Sequence, residues 1–154
     1  MKIIVVVHTG TENASEITGN AAGDPLKLAP ALEEGCTVVA AHSGMSAFFE
    51  CEDFFPGLVD MMRRYPNLYC DSSNLASMFR WRNLPRILEE PRVVDRLIYA
   101  SDFPFPSNAL VFWSRLKPRE LLRLLSERNL LERNYRLQRA LGLPPAAFER
   151  GAKL

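Results

Sequence analysis

The sequence predicts an α/β fold built on parallel strands, and three observations carry that prediction. Four short runs of β-branched and aromatic residues are uniformly apolar, as strands covered on both faces are. They alternate with stretches of helical length bounded by capping residues, glycine and proline. A polar residue follows each run, at His8, His42, Asp71 and Asp102, so the pattern recurs about every thirty residues, the length of one βα unit.

The first strand is IIVVV, residues 3–7. The segment after it, TENASEITGNAAGD, has neither the glycine-rich dinucleotide pattern nor a Walker pattern. In DPLKLAPALEEG, residues 24–35, Asp24 is placed to cap a helix, Pro25 takes its first position and Gly35 closes it. CTVVAA, residues 36–41, is the second strand. The helix over DFFPGLVDMMRRYP sets Leu58, Met61 and Met62 on one face and stops at Pro66. NLYC, residues 67–70, is the third strand. LASMFRWRNLPRILEEP then reads as two short helices broken before Pro85, because an interior proline removes a backbone donor and clashes with the preceding turn. RLIYA, residues 96–100, is the fourth strand. Three helical stretches close the chain, SNALVFWSRL, KPRELLRLLSERN and LLERNYRLQRALG, the last stopping before Pro144 and Pro145.

With 154 residues, 47% hydrophobic and 24% charged, the chain fits one domain, residues 1–154, around one core. A formal charge of +1 gives no field that would draw nucleic acid or an anionic membrane, so neither is an expected partner. Arg128, Arg133, Arg136 and Arg139 alternate with Glu127 and Glu132, the pattern of a solvated helix face. Cys36, Cys51 and Cys70 are odd in number and widely spaced, which argues against a disulfide framework or a thiolate zinc site and fits small buried residues in a reducing, cytoplasmic setting. The apolar start KIIVVV is too short for a signal-peptide core, and no run reaches membrane-spanning length.

The chain's two histidines share one local context, His8-Thr9-Gly10 and His42-Ser43-Gly44, each at the end of a strand. In parallel α/β architectures the strand carboxyl ends share one rim, where ligand-binding and catalytic residues gather. His8, His42, Asp71 and Asp102 therefore converge on that rim. Each also has an ordinary structural reading. A strand-end histidine is often a hydrogen-bonded core or loop residue, and Asp102 in SDFPFP is placed to start the turn forced by Pro104 and Pro106. Asp71, before Ser72, Ser73 and Asn74, suits a helix cap, or at most a supporting role. Taken together, His8, His42 and Asp102 offer two neutral nitrogens and one carboxylate. That set suits zinc, or manganese as the alternative, with a position left open for water. A nearby carboxylate would accept a proton and an imidazole would polarise the group under attack, which is hydrolytic chemistry.

The series VVVHTGTE, GDPLKLAPALEEGCTVVAAHSG, YPNLYCDSS, RLIYASDFPFP and NYRLQRALGLP resembles the carboxyl-terminal half of the amidohydrolase superfamily, in its amidohydrolase-2 branch of metal-dependent TIM-barrel enzymes. The resemblance covers nearly the whole chain. It implies a parallel (βα)4 half of a (β/α)8 barrel with C-terminal helices. It also implies that His8 is a metal ligand, that His42 orients or polarises a small organic substrate and in some members touches metal, and that Asp102 is a ligand and proton acceptor. The H-x-H pair of the family's first strand has no counterpart here, and a full barrel needs about 250 residues.

Three function classes follow. One is a metal-dependent hydrolase, with nonoxidative decarboxylation as a related chemistry of the same family. Another is a noncatalytic half-barrel that binds a partner through open sheet edges. An open doubly wound sheet binding a small ligand is the third. For a half-barrel, Val5, Val7, Val39 and Ile98 are expected on an inner face whose neighbours are missing, so a homo-oligomer or a complementary half-barrel chain is the expected partner. Phe48, Phe49, Phe79, Trp81 and Trp113 read either as an apolar pocket or as core.

Overall fold

A computed structural model describes residues 3–11, 20–47 and 53–154; Phe48, Phe49, Cys51 and most of the segment after the first strand lie outside the described residues. Four strands, β1 (Ile4–His8), β2 (Thr37–Ala41), β3 (Leu68–Asp71) and β4 (Leu97–Ile98), form one parallel sheet in the order β1-β2-β3-β4. Each falls on a run that the apolar pattern marked. β4 is shorter than RLIYA suggested, because Tyr99 donates its N–H to Ala147 O (2.9 Å) rather than to another strand.

The connections are helical, with three departures from the pattern. Asp24 caps as expected, accepting from Leu26 N–H at 2.9 Å, but it opens a 3-10 turn, Pro25–Leu28, ahead of α1 (Ala29–Glu33). Pro30 has no N–H to give Leu26 O, so an uninterrupted α-helical ladder cannot run through this stretch. α2 (Phe55–Arg64) follows its sequence pattern and buries Leu58, Met61 and Met62. The break expected before Pro85 is absent. α3 (Asn83–Leu88) carries Pro85 in its first turn, where an N–H would have no intrahelical partner, and residues 75–82 form turns instead of a helix. After α4 (Pro91–Val94) and β4 come a 3-10 turn, Ala109–Phe112, then α5 (Pro118–Ser126) and α6 (Leu130–Ala140). A last helix, α7 (Pro145–Arg150), begins where the paired prolines signalled a stop, since Pro145 occupies its first turn.

The pleat sorts the strands into two faces. Val38, Ala40, Leu68, Cys70 and Leu97 pack with Leu58, Met61, Met62, Leu84, Ile87 and Val93 in the main core, with Val7 against them. A second cluster of Ala76, Phe112, Leu116, Leu124 and Leu137 joins α5 and α6, with Trp81 packed on it. Ile4, Val6 and His8 stand on the opposite face, in register with Thr37, Val39 and Ala41. Val5 and Val7 thus lie on the helix-covered side, and Ile4 (45% exposed) and Val6 (66%) are the uncovered residues. Val39 and Ile98 do lie on the face away from that core, as the sequence predicts, with Val39 buried and Ile98 half-buried; only β1 is one residue out of phase with the expectation.

The two sheet edges differ. On the outer side of β4, Arg150 of α7 donates to Leu97 O, and Ala147 O accepts from Tyr99 N–H. On the outer side of β1 no strand is paired among the described residues. Cys36 and Cys70 are free thiols, and burial pushes the Cys70 pKa up to about 12, an inert packing role. No helix among the described residues is long and apolar enough to cross a membrane.

Candidate functional site

The repeated His-hydroxyl-Gly context has a geometric cause. Thr9 Oγ1 donates to Ala41 O of β2 at 2.6 Å, and one unit later Ser43 Oγ donates to Asp71 O of β3 at 2.6 Å. Each hydroxyl ties the end of its own strand to the end of the next. Thr9 Oγ1 also accepts from Gly44 N–H at 2.9 Å, which locks the turn after β2 onto the end of β1. Gly10 (φ 90°) is needed because a Cβ there would lie 2.2 Å from Met45 O.

His42 (φ 61°) and Ser43 (φ 55°), directly after β2, and Asp102 (φ 60°), four residues beyond β4, all occupy the left-handed region. For residues with a Cβ this conformation costs about 1–3 kcal/mol each and persists where surrounding bonds enforce it. At His42 the enforcing group is Asp71. Its Oδ1 accepts from His42 N–H (2.9 Å), from Ser73 N–H (3.0 Å) and from the Ser73 hydroxyl. Asp71 is buried, and no helix follows it: the carboxylate that resembled a helix cap turns back across the sheet to hold the neighbouring strand's histidine.

The imidazole of His42 is fixed as firmly as its backbone. Nδ1 lies 2.7 Å from Ser73 Oγ and 3.1 Å from Ser73 O. A carbonyl oxygen only accepts, and the Ser73 hydroxyl is engaged with Asp71, so this network assigns the proton to Nδ1. Nε2 then carries the lone pair, the form in which histidine binds a metal or takes up a proton. The His8 ring stands edge-on to the His42 ring, with centroids 4.8 Å apart and planes at 67°. His42 is buried and His8 exposed, so the pair opens to solvent through His8.

Asp102 belongs to the same rim by strand order but to a different local structure. Its loop is pinned from α6, where buried Gln138 donates to Ala100 O (3.1 Å) and to Asn134 Oδ1 (2.9 Å). The turn through the prolines is built without the Asp102 side chain: Phe103 N–H bonds to Ser101 Oγ (3.3 Å) and Phe105 N–H to Asp102 O (2.9 Å). The half-buried Asp102 carboxylate makes no hydrogen bond or ion pair among the described residues.

The structure thus sets His8 against His42 and ties His42 to Asp71, and Asp102 shares no hydrogen bond with them among the described residues. Among the described residues no group of three or more histidine, cysteine or acidic side chains is arranged to hold a metal ion. Ser73 and Thr9 were not singled out by residue type, because serine and threonine at strand ends are ordinary turn formers. Of the basic helix face, Arg136 is paired with Glu132 at 2.6 Å and Arg139 lies over the Tyr135 ring, as a solvated surface requires. Trp81 is core, whereas Phe79 and Trp113 are exposed.

No family model, curated protein or solved structure matches the chain.

Proposed function

We propose that the chain is the carboxyl-terminal half of an amidohydrolase-type barrel and carries part of a metal-dependent hydrolytic site for a small organic substrate. The observation that carries this reading is the His8–His42 pair, two imidazoles from adjacent parallel strands in contact at the carboxyl-end rim. His42 is presented with Nε2 unprotonated, held by Ser73 and Asp71. Two imidazoles are the donors zinc takes readily, and with Asp102 they would make a three-ligand set. The pair fits as the nitrogen half of such a site. When bound, a divalent ion supplies Lewis acidity and lowers the pKa of water toward neutrality. The chain's own contributions are the fixed His42 imidazole and the Asp102 carboxylate, which has no hydrogen bond or ion pair among the described residues and is suited to receive a proton.

Metal retention tests the pair directly. With fewer ligands than a complete site, purified protein is expected to retain zinc or manganese at well below one equivalent after dialysis, and His8→Ala to retain less still. Equal metal content in the two proteins would remove His8 from the ligand set.

The same reading extends to a partner. Exposed Ile4 and Val6 on a strand with an open outer edge are the features of a surface completed by another strand, from a second copy or from a complementary half-barrel chain. Light scattering coupled to size exclusion is expected to show self-association at micromolar concentration, or a stable complex once the complementary chain is supplied. A compact monomer under both conditions would count against it.

A further inference from the structure

Cationic residues are unevenly spread along the chain. Residues 115–139 hold eight of its 19 Lys and Arg residues but three of its 18 Asp and Glu residues, so the near-neutral total conceals one basic region. That region contains α5 and nearly all of α6. Within it an open cleft of about 480 Å³ is lined by Arg115, Lys117, Glu120, Arg136 and Arg139. The cleft shares no residue with the histidine pair.

The four cations come as two pairs. Arg115 and Lys117 stand in the turn ahead of α5, and Arg136 and Arg139 lie three residues apart on α6, hence on one face of it. Arg115 and Lys117 are exposed and make no ion pair or side-chain hydrogen bond among the described residues. The α6 pair is oriented by its neighbours: Glu132 (2.6 Å) and Glu127 (3.5 Å) hold Arg136, and the Tyr135 hydroxyl (3.3 Å) and ring hold Arg139. Among the described residues Glu120 is the one carboxylate on the lining. Even with Arg136 balanced by its glutamates and a second cation by Glu120, two of the four keep no counter-charge there.

Like charges gathered around one cleft repel, and an anion placed among them relieves that repulsion. Guanidinium forks match phosphoryl oxygens, and a phosphoryl group brings a charge of about −1.5 to −2 where a carboxylate brings a single charge. Two cation pairs suit two such groups. The volume falls within the roughly 300–1,000 Å³ of small-ligand sites. We propose that this cleft binds a small polyanion bearing two phosphoryl groups, one received by Arg115 and Lys117 and the other by Arg136 and Arg139.

Inorganic pyrophosphate is a suitable probe, titrated into the full chain by calorimetry with a chelator present, so that metal at the histidine pair plays no part. Saturable binding is expected, with orthophosphate weaker by at least about tenfold because it engages one cation pair. The double variant Arg115→Gln/Lys117→Gln alters exposed, unpartnered side chains and is expected to fold; it should weaken pyrophosphate by at least about tenfold. Arg123→Gln, on α5 but off the lining, should change affinity by less than about twofold. Phosphatidylcholine vesicles with and without phosphatidylinositol bisphosphate separate the two sources of such a group. Cosedimentation that needs the bisphosphate and is lost in the double variant assigns the cleft to a lipid headgroup; pyrophosphate binding without it assigns the cleft to a free ligand. Failure of both probes to bind, equal affinity for the two phosphates, binding unchanged in the double variant, or an equal loss in Arg123→Gln would each overturn the assignment.

Discussion

On the proposed hydrolytic reading, Asp102→Asn is expected to lower turnover by about 100- to 10,000-fold, the range for loss of a general base, while leaving stability within about 0.5 kcal/mol of the unaltered chain. The two halves of that expectation have separate causes. Asparagine keeps the shape of aspartate but neither its charge nor its basicity. Asparagine also tolerates the left-handed backbone that residue 102 adopts, so the loop loses nothing in conformation. Capping does not confuse the result, since Ser101 Oγ and the Asp102 main-chain carbonyl make the turn's bonds and neither is altered. The measurement pairs thermal unfolding with assay of a panel of small esters, lactones and carboxylates in the presence of zinc or manganese. Turnover equal to that of the unaltered protein across the panel would remove Asp102 from the chemistry.

Asp71→Ala acts on stability instead, with an expected loss of about 2–5 kcal/mol. One carboxylate oxygen accepts from two backbone N–H groups and a hydroxyl, all buried; alanine removes the acceptor of Ser73 N–H and of the Ser73 hydroxyl and leaves His42 N–H only its longer bond to Ser73 Oγ (3.1 Å). That is a large share of the roughly 5–15 kcal/mol that a domain of ordinary size possesses. Asp71→Asn should cost about half as much, because an amide oxygen still accepts but bonds to an ionised acceptor are about twice as strong. Urea unfolding of the three proteins checks the order. An alanine variant as stable as the unaltered chain would show that the left-handed turn at His42 is held by something other than Asp71.

The strands and the placement of the candidate residues were legible because each rests on a short-range signal. A β-branched run followed by a polar residue marks both a strand and its carboxyl end, which is why His8, His42 and Asp71 fall at or beside strand ends, whereas Asp102 lies four residues beyond the short β4. Proline was the least reliable signal: Pro85 and Pro145 read as breaks and proved to be starts, since a missing N–H costs nothing in a first turn. The phase of β1 was misread because an all-apolar strand gives no alternation to follow, and only pairing with β2 reveals which side each residue faces. The tie from Asp71 to His42 spans 29 residues, and that from Gln138 of α6 to Ala100 O spans 38. Contacts of that range leave no mark on local residue pattern.

The unequal edges of the sheet set the arithmetic of assembly. Were both sides open, each copy could offer one edge and receive another, and addition would continue without limit, as in fibres. Here α7, only six residues long, takes up Leu97 O and Tyr99 N–H beside β4, while no strand is paired on the outer side of β1 among the described residues. Pairing of two copies at β1 about a dyad would run the strands antiparallel and give a closed pair. Closing a full barrel would ask more, since a complementary half must also reach β4 and displace α7 from these two positions.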